Sequence, residues 1–233
     1  GHGAATGARP CRKPNPNAPF ARAPAARPRR LARERPLWKN PASATGGYVT
    51  DWIDGQGYRA NVGIVLMRDD GHVFLGGRTG GRGWQFPQGG IRRGESDEQA
   101  LYRELEEEVG LAPGDVEVLG RTADWIRYRL PRQYVRRRST PLCIGQKQRW
   151  FLLRFRGREA DLRFDRTLEP PEFDRWRWVE YWDPVREVIW FKRDVYRRAL
   201  HELGKVAFPD ALPPYPEWWH TATDEPPARR TPA

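Results

Sequence analysis

Residues Gly89–Leu111 read GGIRRGESDEQALYRELEEEVGL, a glycine-rich loop running into a stretch with the period of an amphipathic helix. Ser96 followed by Gln99 is a capping-box pair, so the spacing predicts a helix that starts at Asp97. Gly110 stands where a left-handed residue would end it. At about 100° per residue, Leu101, Leu105 and Val109 form an apolar stripe that requires a core to face. Glu104, Glu107 and Glu108 lie beside that stripe at i, i+3 and i+4. Neighbouring carboxylates repel by a few tenths of a kcal/mol per pair even in water. Close to a core the penalty grows unless a cation neutralises them. Clustered oxygen ligands suit a hard divalent ion, Mg²⁺ first and Mn²⁺ second. A glutamate run is ordinarily a solvated helix face, and Glu106, on the far side, reads that way. For the other three, the adjoining apolar stripe and the separate Glu95 ahead of the helix favour a metal site.

Outward from this helix the chain alternates between strand and turn. Asn61–Met67 is an apolar strand, Asp69-Asp70-Gly71 a hairpin turn, and His72–Leu75 the returning strand. Trp84-Gln85-Phe86 leads into the loop 87–94. Val116–Arg121, Ile126–Leu130, Gln148–Phe155 and Trp176–Tyr181 read as further strands, and Arg193–Leu203 as a closing helix. Strands on both sides of one helix, with a second helix at the end, predict an α/β/α sandwich around a mixed sheet.

The length of 233 residues fits one ordinary domain with extensions. No apolar run approaches the ~18 residues that a membrane-spanning helix needs. Cys11 and Cys143 stand in unrelated contexts and outline no disulfide framework, which fits a reducing cytoplasm. The formal charge of +11 invites a nucleic-acid reading, but residues 1–47 carry ten Lys or Arg against Glu34 alone and so hold +9 of it. The charge belongs to the tail rather than to the domain.

Three regions are therefore expected: a basic, disordered Ala/Pro/Arg-rich arm over 1–48, a folded domain over 49–204, and a Pro-rich, mostly disordered tail over 205–233. In that tail the pair Trp218-Trp219 could dock on the domain. Too many prolines interrupt the arm for an organellar transit helix. Two readings of it stay open. One is an arm that grips RNA. The other is an over-extended reading frame ahead of a GTG start at Val49, since Met67 is the only methionine.

Taken together, Gly89, five residues, Glu95, seven residues, Arg103-Glu104-Leu105, one residue, Glu107-Glu108, one residue and Gly110-Leu111 resemble the Nudix box at every specified position. The chain thus resembles the Nudix hydrolases, which cut a pyrophosphate bond in a nucleoside diphosphate linked to a further group. The runs GYRANVGIVL (57–66), WQFPQGGI (84–91), IGQKQRWFLL (144–153), PEFDRWRWVEYW (171–182) and FKRDVYRR (191–198) look like the bacterial RNA pyrophosphohydrolases. Those enzymes convert a 5′-triphosphorylated or diphosphorylated RNA end to a monophosphate and so expose the transcript to decay. The resemblance covers roughly residues 51–200 and leaves both tails out.

The resemblance implies that Glu104, Glu107, Glu108 and Glu172 hold more than one metal ion. Glu104 comes first and Glu172 second as general base. Without it Glu172 would read as a surface loop residue. It further implies a substrate site of Arg59, Arg78, Gln146, Ile189, Phe191 and Lys192, with Phe191 stacking on a base. Taken alone, Phe191 reads as a core residue at a helix start and the arginines as surface charges. Arg127, Arg129, Arg132 and the triplet 136–138 read equally as a path for downstream phosphates or as a solvated basic loop. Two positions depart from the family: Ala60 stands where proline is usual, and Trp190 where a small residue is usual. A dinucleoside polyphosphate hydrolase is the alternative among enzymes, and an inactive RNA-end-binding module the alternative outside them.

Overall fold

The computed structural model describes residues 51–81, 83–135, 137, 140–164 and 170–220. The expected arm, the Val49 start and the last residues from 221 lie outside them. The elements in chain order are β1 (Tyr58–Met67), β2 (Val73–Arg78), β3 (Trp84–Gln85), β4 (Gln88–Gly90), α1 (Asp97–Val109), β5 (Val116–Arg121), β6 (Ile126–Arg129), β7 (Gly145–Phe155), β8 (Phe173–Val179), α2 (Pro184–Glu187) and α3 (Arg193–Ala207).

β1 and β7 run parallel from Tyr58↔Gly145 to Met67↔Arg154, while the other pairings are antiparallel. The sheet is mixed, as expected. Its two faces follow from the period-2 alternation of side chains. Ala60, Val62, Ile64 and Leu66 of β1, with Phe151 and Leu153 of β7, pack with Leu101, Leu105 and Val109 of α1. Val65 and Met67, with Trp150 and Leu152, pack with Val195, Tyr196, Ala199, Leu200 and Leu203 of α3. One sheet thus lies between two helices. Full burial of each Val, Leu, Ile, Phe or Met side chain among them contributes about 1.5–3 kcal/mol.

Helix α1 begins and ends where its sequence directs. Ser96 Oγ accepts from Gln99 N–H at 3.1 Å and Gln99 Oε1 accepts from Ser96 N–H at 2.9 Å. Gly110 closes the helix at φ 74°, where its N–H bonds to Glu106, a conformation that costs glycine no Cβ clash.

Several boundaries differ from the sequence reading. β1 starts at Tyr58 and β7 at Gly145, each three residues earlier than the apolar pattern suggests, because Arg59, Gln146 and Lys147 are strand residues with polar side chains. β8 is shifted to Phe173–Val179, α3 runs to Ala207, and β4 and α2 were not anticipated. In the described part of the tail, Ala207, Phe208, Leu212, Trp218 and Trp219 pack against the α3-side core. Trp182 Nε1 donates to the Pro213 carbonyl at 3.0 Å. The Trp182 ring lies 4.9 Å from both Tyr215 and Trp219. Prolines interrupt regular structure between Ala207 and a 3₁₀ turn at Glu217–His220, but aromatic pairs add about 0.5–1.5 kcal/mol each beyond their buried area.

β1 and β2 pair only near their hairpin end, at Met67↔Val73. Beyond it, the edge of β1 is taken by the glycine-rich segment, with Ile64 N–H donating to Pro87 O at 2.9 Å and Ile91 N–H to Ala60 O at 2.9 Å. That segment is the floor on which the carboxylates of α1 sit.

Candidate active site

Glu104 and Glu108 are both buried, on the side of α1 that faces β4. Glu108 Oε2 accepts from the Gln88 N–H at 2.8 Å. A Cβ at position 89 would overlap the Glu104 carboxyl group, so only glycine admits that side chain there. Glu107 is more open and meets Arg92 and Arg103, each at 3.3 Å. Glu172, buried just before β8, accepts from Arg78 Nε and Gln85 Nε2 through one oxygen, both at 3.0 Å.

Arg103 ties the box together. It donates to both oxygens of Glu95, at 2.7 and 2.8 Å, to the Gly90 carbonyl at 2.7 Å, and to Glu104. Burial pushes the Glu95 carboxyl up, but Arg103 and the Arg92 N–H outweigh it and hold Glu95 below the usual carboxylate range. Burial is also the largest influence on Glu104, raising it to about 7 against the pull of Arg103, with the Glu107 charge adding to the rise. Glu108 is pushed well above the ordinary range by burial first and then by the charges of Glu104 and Glu172.

Three buried acids close enough to repel one another call for a cation. Among the described residues, no three His, Cys, Asp or Glu side chains converge on one point in the present arrangement. Each carboxylate is held by its own partner, Glu104 by Arg103, Glu108 by the Gln88 N–H, and Glu172 by Arg78 and Gln85. Among the described residues, no donor reaches Glu104 Oε2, Glu108 Oε1 or Glu172 Oε2. An all-oxygen donor set of this kind fits a hard divalent ion.

A second group of side chains lies across β1, β7 and β6. Arg59 pairs with Gln146, and Gln146 with Tyr128, so the three share a row on the α3 face. Tyr128 Oη donates to Gln146 Oε1 at 2.6 Å. Asn61 and Gln148 form the next row, where Gln148 donates to Gln88 at 3.1 Å. In these rows Arg59 Nε, Asn61 Oδ1 and Gln148 Oε1 are buried without a protein partner. Phe191, half-buried on a turn of 3₁₀ helix, stands against Tyr128 at 6.0 Å, Tyr134 at 5.2 Å and Trp190 at 5.5 Å. Ile189 caps that turn.

Lys192, buried on the same turn, lies 6.0 Å from the centre of the Tyr128 ring. Burial lowers its ammonium to about 7, Arg78 adding to the fall and Glu172 and Glu108 opposing it. Those four residues thus share one electrostatic field, which joins the acidic group to the aromatic one.

The sequence-expected residues are gathered as follows. The charges of Glu104, Glu172 and Arg78 act on Glu108, and those of Arg78, Glu172 and Glu108 act on Lys192. Arg59, Gln146 and Phe191 border them, and Glu107 sits at the outer edge. Sequence reading did not single out Gln85, Gln88, Tyr128, Tyr134 or Gln148. The alternation Ile126-Arg127-Tyr128-Arg129 was a signal for Tyr128, which had to point inward if the arginines point outward. Tyr134, on an irregular turn, offered none.

With the geometry established, comparison with known proteins adds the following. A NUDIX domain matches residues 57–221. The RNA pyrophosphohydrolase of Alkalilimnicola ehrlichii is 60% identical over 164 residues, spanning 70% of this chain and 90% of that protein. That of Thioalkalivibrio sulfidiphilus is 58% identical over 161 residues, 69% of this chain and 92% of that one. That of Halorhodospira halophila is 54% identical over 176 residues, 76% and 93% respectively. With its box carboxylates on α1 against β4, and with matches of this extent, the chain belongs to the Nudix family.

Proposed function

We infer that this chain removes phosphate or pyrophosphate from the 5′-triphosphorylated or diphosphorylated end of RNA in the cytoplasm, leaving a 5′-monophosphate that promotes decay of the transcript. One observation carries the reading: buried carboxylates with unclaimed oxygens share an electrostatic field with Arg78 and Lys192, beside the half-buried ring of Phe191. That combination offers metal ligands, phosphate donors and a base platform side by side. The names of the relatives point to the same substrate.

Nudix hydrolases use divalent metal ions, and here Glu104, Glu107, Glu108 and Glu172 would hold Mg²⁺, or Mn²⁺, more than one ion in all. When bound, the metal supplies positive charge to the phosphate oxygens and a more acidic water. The remaining work falls to the chain. Glu104 accepts the proton of the attacking water, with Glu172 as the second choice. Arg103, clamped by Glu95, fixes where Glu104 and Glu107 stand. Arg78 exchanges Glu172 for phosphate oxygens, and Arg59 and Lys192 neutralise further charge. Phe191 stacks on a base, which is worth about 1–3 kcal/mol. The water oxygen bonds to phosphorus, one P–O–P bond breaks, and the RNA leaves with the remaining phosphate.

Parallel kinetics on triphosphorylated RNA and diadenosine tetraphosphate test the reading. A larger kcat/KM on the RNA is expected. A much larger value on the dinucleotide would assign the site to dinucleoside polyphosphates instead.

A further inference from the structure

Arg127, Arg129 and Arg132 differ from the arginines around them. Arg127 and Arg129 occupy the outward positions of β6, which among the described residues pairs only with β7 and so forms the edge of the sheet at this end. Arg132 is exposed on the turn that follows. On the same face, Arg121 and Arg149 are claimed by Asp97, at 2.9 and 3.9 Å, and Lys147 by Asp54 at 3.0 Å. Among the described residues, no carboxylate pairs with Arg127, Arg129 or Arg132. An aromatic side chain holds two of them instead. The Arg127 guanidinium lies over the Tyr58 ring at 5.6 Å, and Arg129 Nε donates to Tyr58 Oη at 3.3 Å.

The inward residues of the same stretch belong to the pocket. Tyr128 meets Gln146 and Phe191, and Tyr134 meets Phe191. Within β6, Tyr128 thus borders the site on one face of the sheet while Arg127 and Arg129 project from the other face of the same edge strand, and Arg132 and Tyr134 share the turn that follows. A guanidinium free of any carboxylate loses no ion pair when it meets a phosphate, and its planar fork can bind two phosphate oxygens at once. Residues two apart on a strand are separated by about 6.6–6.8 Å, a spacing that lets Arg127 and Arg129 address different phosphates.

Resting on the reading of an RNA 5′ end as substrate, we propose that Arg127, Arg129 and Arg132 form a track for the phosphates of nucleotides downstream of the pocket. Arginines on an edge strand also block unwanted strand pairing, but that role is indifferent to the length of an RNA substrate. Length is therefore the variable to test.

The experiment measures kcat/KM of the full chain, in Mg²⁺ and across a salt series, on a triphosphorylated dinucleotide and on an unstructured triphosphorylated RNA several times longer. The wild type is compared with a variant carrying Arg127→Gln, Arg129→Gln and Arg132→Gln. On the long RNA the variant should lose about tenfold, with a salt dependence shallower by about 2 in log–log slope. On the dinucleotide it should match the wild type, which also shows that fold and chemistry are intact. No loss on the long RNA, or an equal loss on both substrates, overturns the track. Arg132→Glu, on the exposed turn, repeats the comparison without touching the Tyr58 contacts, and unchanged use of the long RNA there overturns the assignment of Arg132. A wild type inactive on both substrates would overturn the RNA-end reading itself, a result distinct from any of these.

Discussion

Arg103 and Glu95 are joined by two parallel hydrogen bonds, Nε to Oε1 at 2.7 Å and Nη2 to Oε2 at 2.8 Å. The pair links the loop before α1 to the middle of the helix, and the same guanidinium reaches the Gly90 carbonyl, Glu104 and Glu107. Lysine cannot reproduce this planar fork. Arg103→Lys should therefore leave the fold intact but lower kcat by roughly 10–10²-fold, because Glu104 and Glu107 lose their anchor. Steady-state kinetics alongside circular dichroism would check this, and normal turnover would show that the clamp positions nothing.

The buried acids give a second expectation. Glu108→Gln keeps the side chain's shape and removes a charge repelled by Glu104 and Glu172. The metal-free variant should be as stable as the wild type or more so, while kcat falls by at least about 10²-fold. Thermal melts with and without Mg²⁺, set beside turnover, distinguish this from simple unfolding.

The shifts of Glu104 and Lys192 pull the pH dependence of metal-free stability in opposite directions, and Glu108 acts in the same direction as Glu104. Folded Glu104 keeps its proton to about 7, whereas an unperturbed glutamate loses it near 4.5. Between those values the folded state binds the extra proton, so its stability falls as pH rises. Lys192 is lowered from 10.5 to about 7, so the folded state binds fewer protons between those values and stability recovers as pH rises further. The metal-free protein should accordingly gain most from Glu104→Gln near pH 7 and above, on the order of 1–3 kcal/mol, and least near pH 4. A gain independent of pH, measured by denaturant unfolding in a chelator, would show that Glu104 carries no such shift.

Much of this could be seen in the chain before any coordinates. The capping pair Ser96 and Gln99, the Gly110 stop and the stripe Leu101, Leu105, Val109 placed α1, because each is a local rule acting within one turn of helix. The polar starts of β1 and β7 were missed because Arg59 and Gln146, though paired with each other, carry polar side chains that break the apolar pattern. β4 was missed for a different reason. Its three residues, Gln88-Gly89-Gly90, have no strand propensity and are held by the free edge of β1. The packing of residues 205–220 was hidden because it depends on rings distant in sequence, Trp182 against Tyr215 and Trp219. Within the site, the glutamates of α1 followed from spacing. Glu172, a lone loop residue, needed the family resemblance, and Tyr134 needed the fold.

Phe191 supplies a fourth prediction. Its ring is half-buried between Tyr128, Tyr134 and Trp190. Phe191→Ala should lower kcat/KM on RNA by about 1–3 kcal/mol through lost stacking, with a smaller effect on stability. A markedly lower melting temperature with unchanged kinetics would make Phe191 a core residue instead.

The account stands most directly on a time course with RNA carrying a labelled γ-phosphate, incubated with the full chain in Mg²⁺. The label should leave as orthophosphate or pyrophosphate while the RNA retains a 5′-monophosphate, and Glu108→Gln should release it at least about 10²-fold more slowly. Retained RNA binding with no release in either Mg²⁺ or Mn²⁺ would contradict the account and make the chain a binding module for RNA ends.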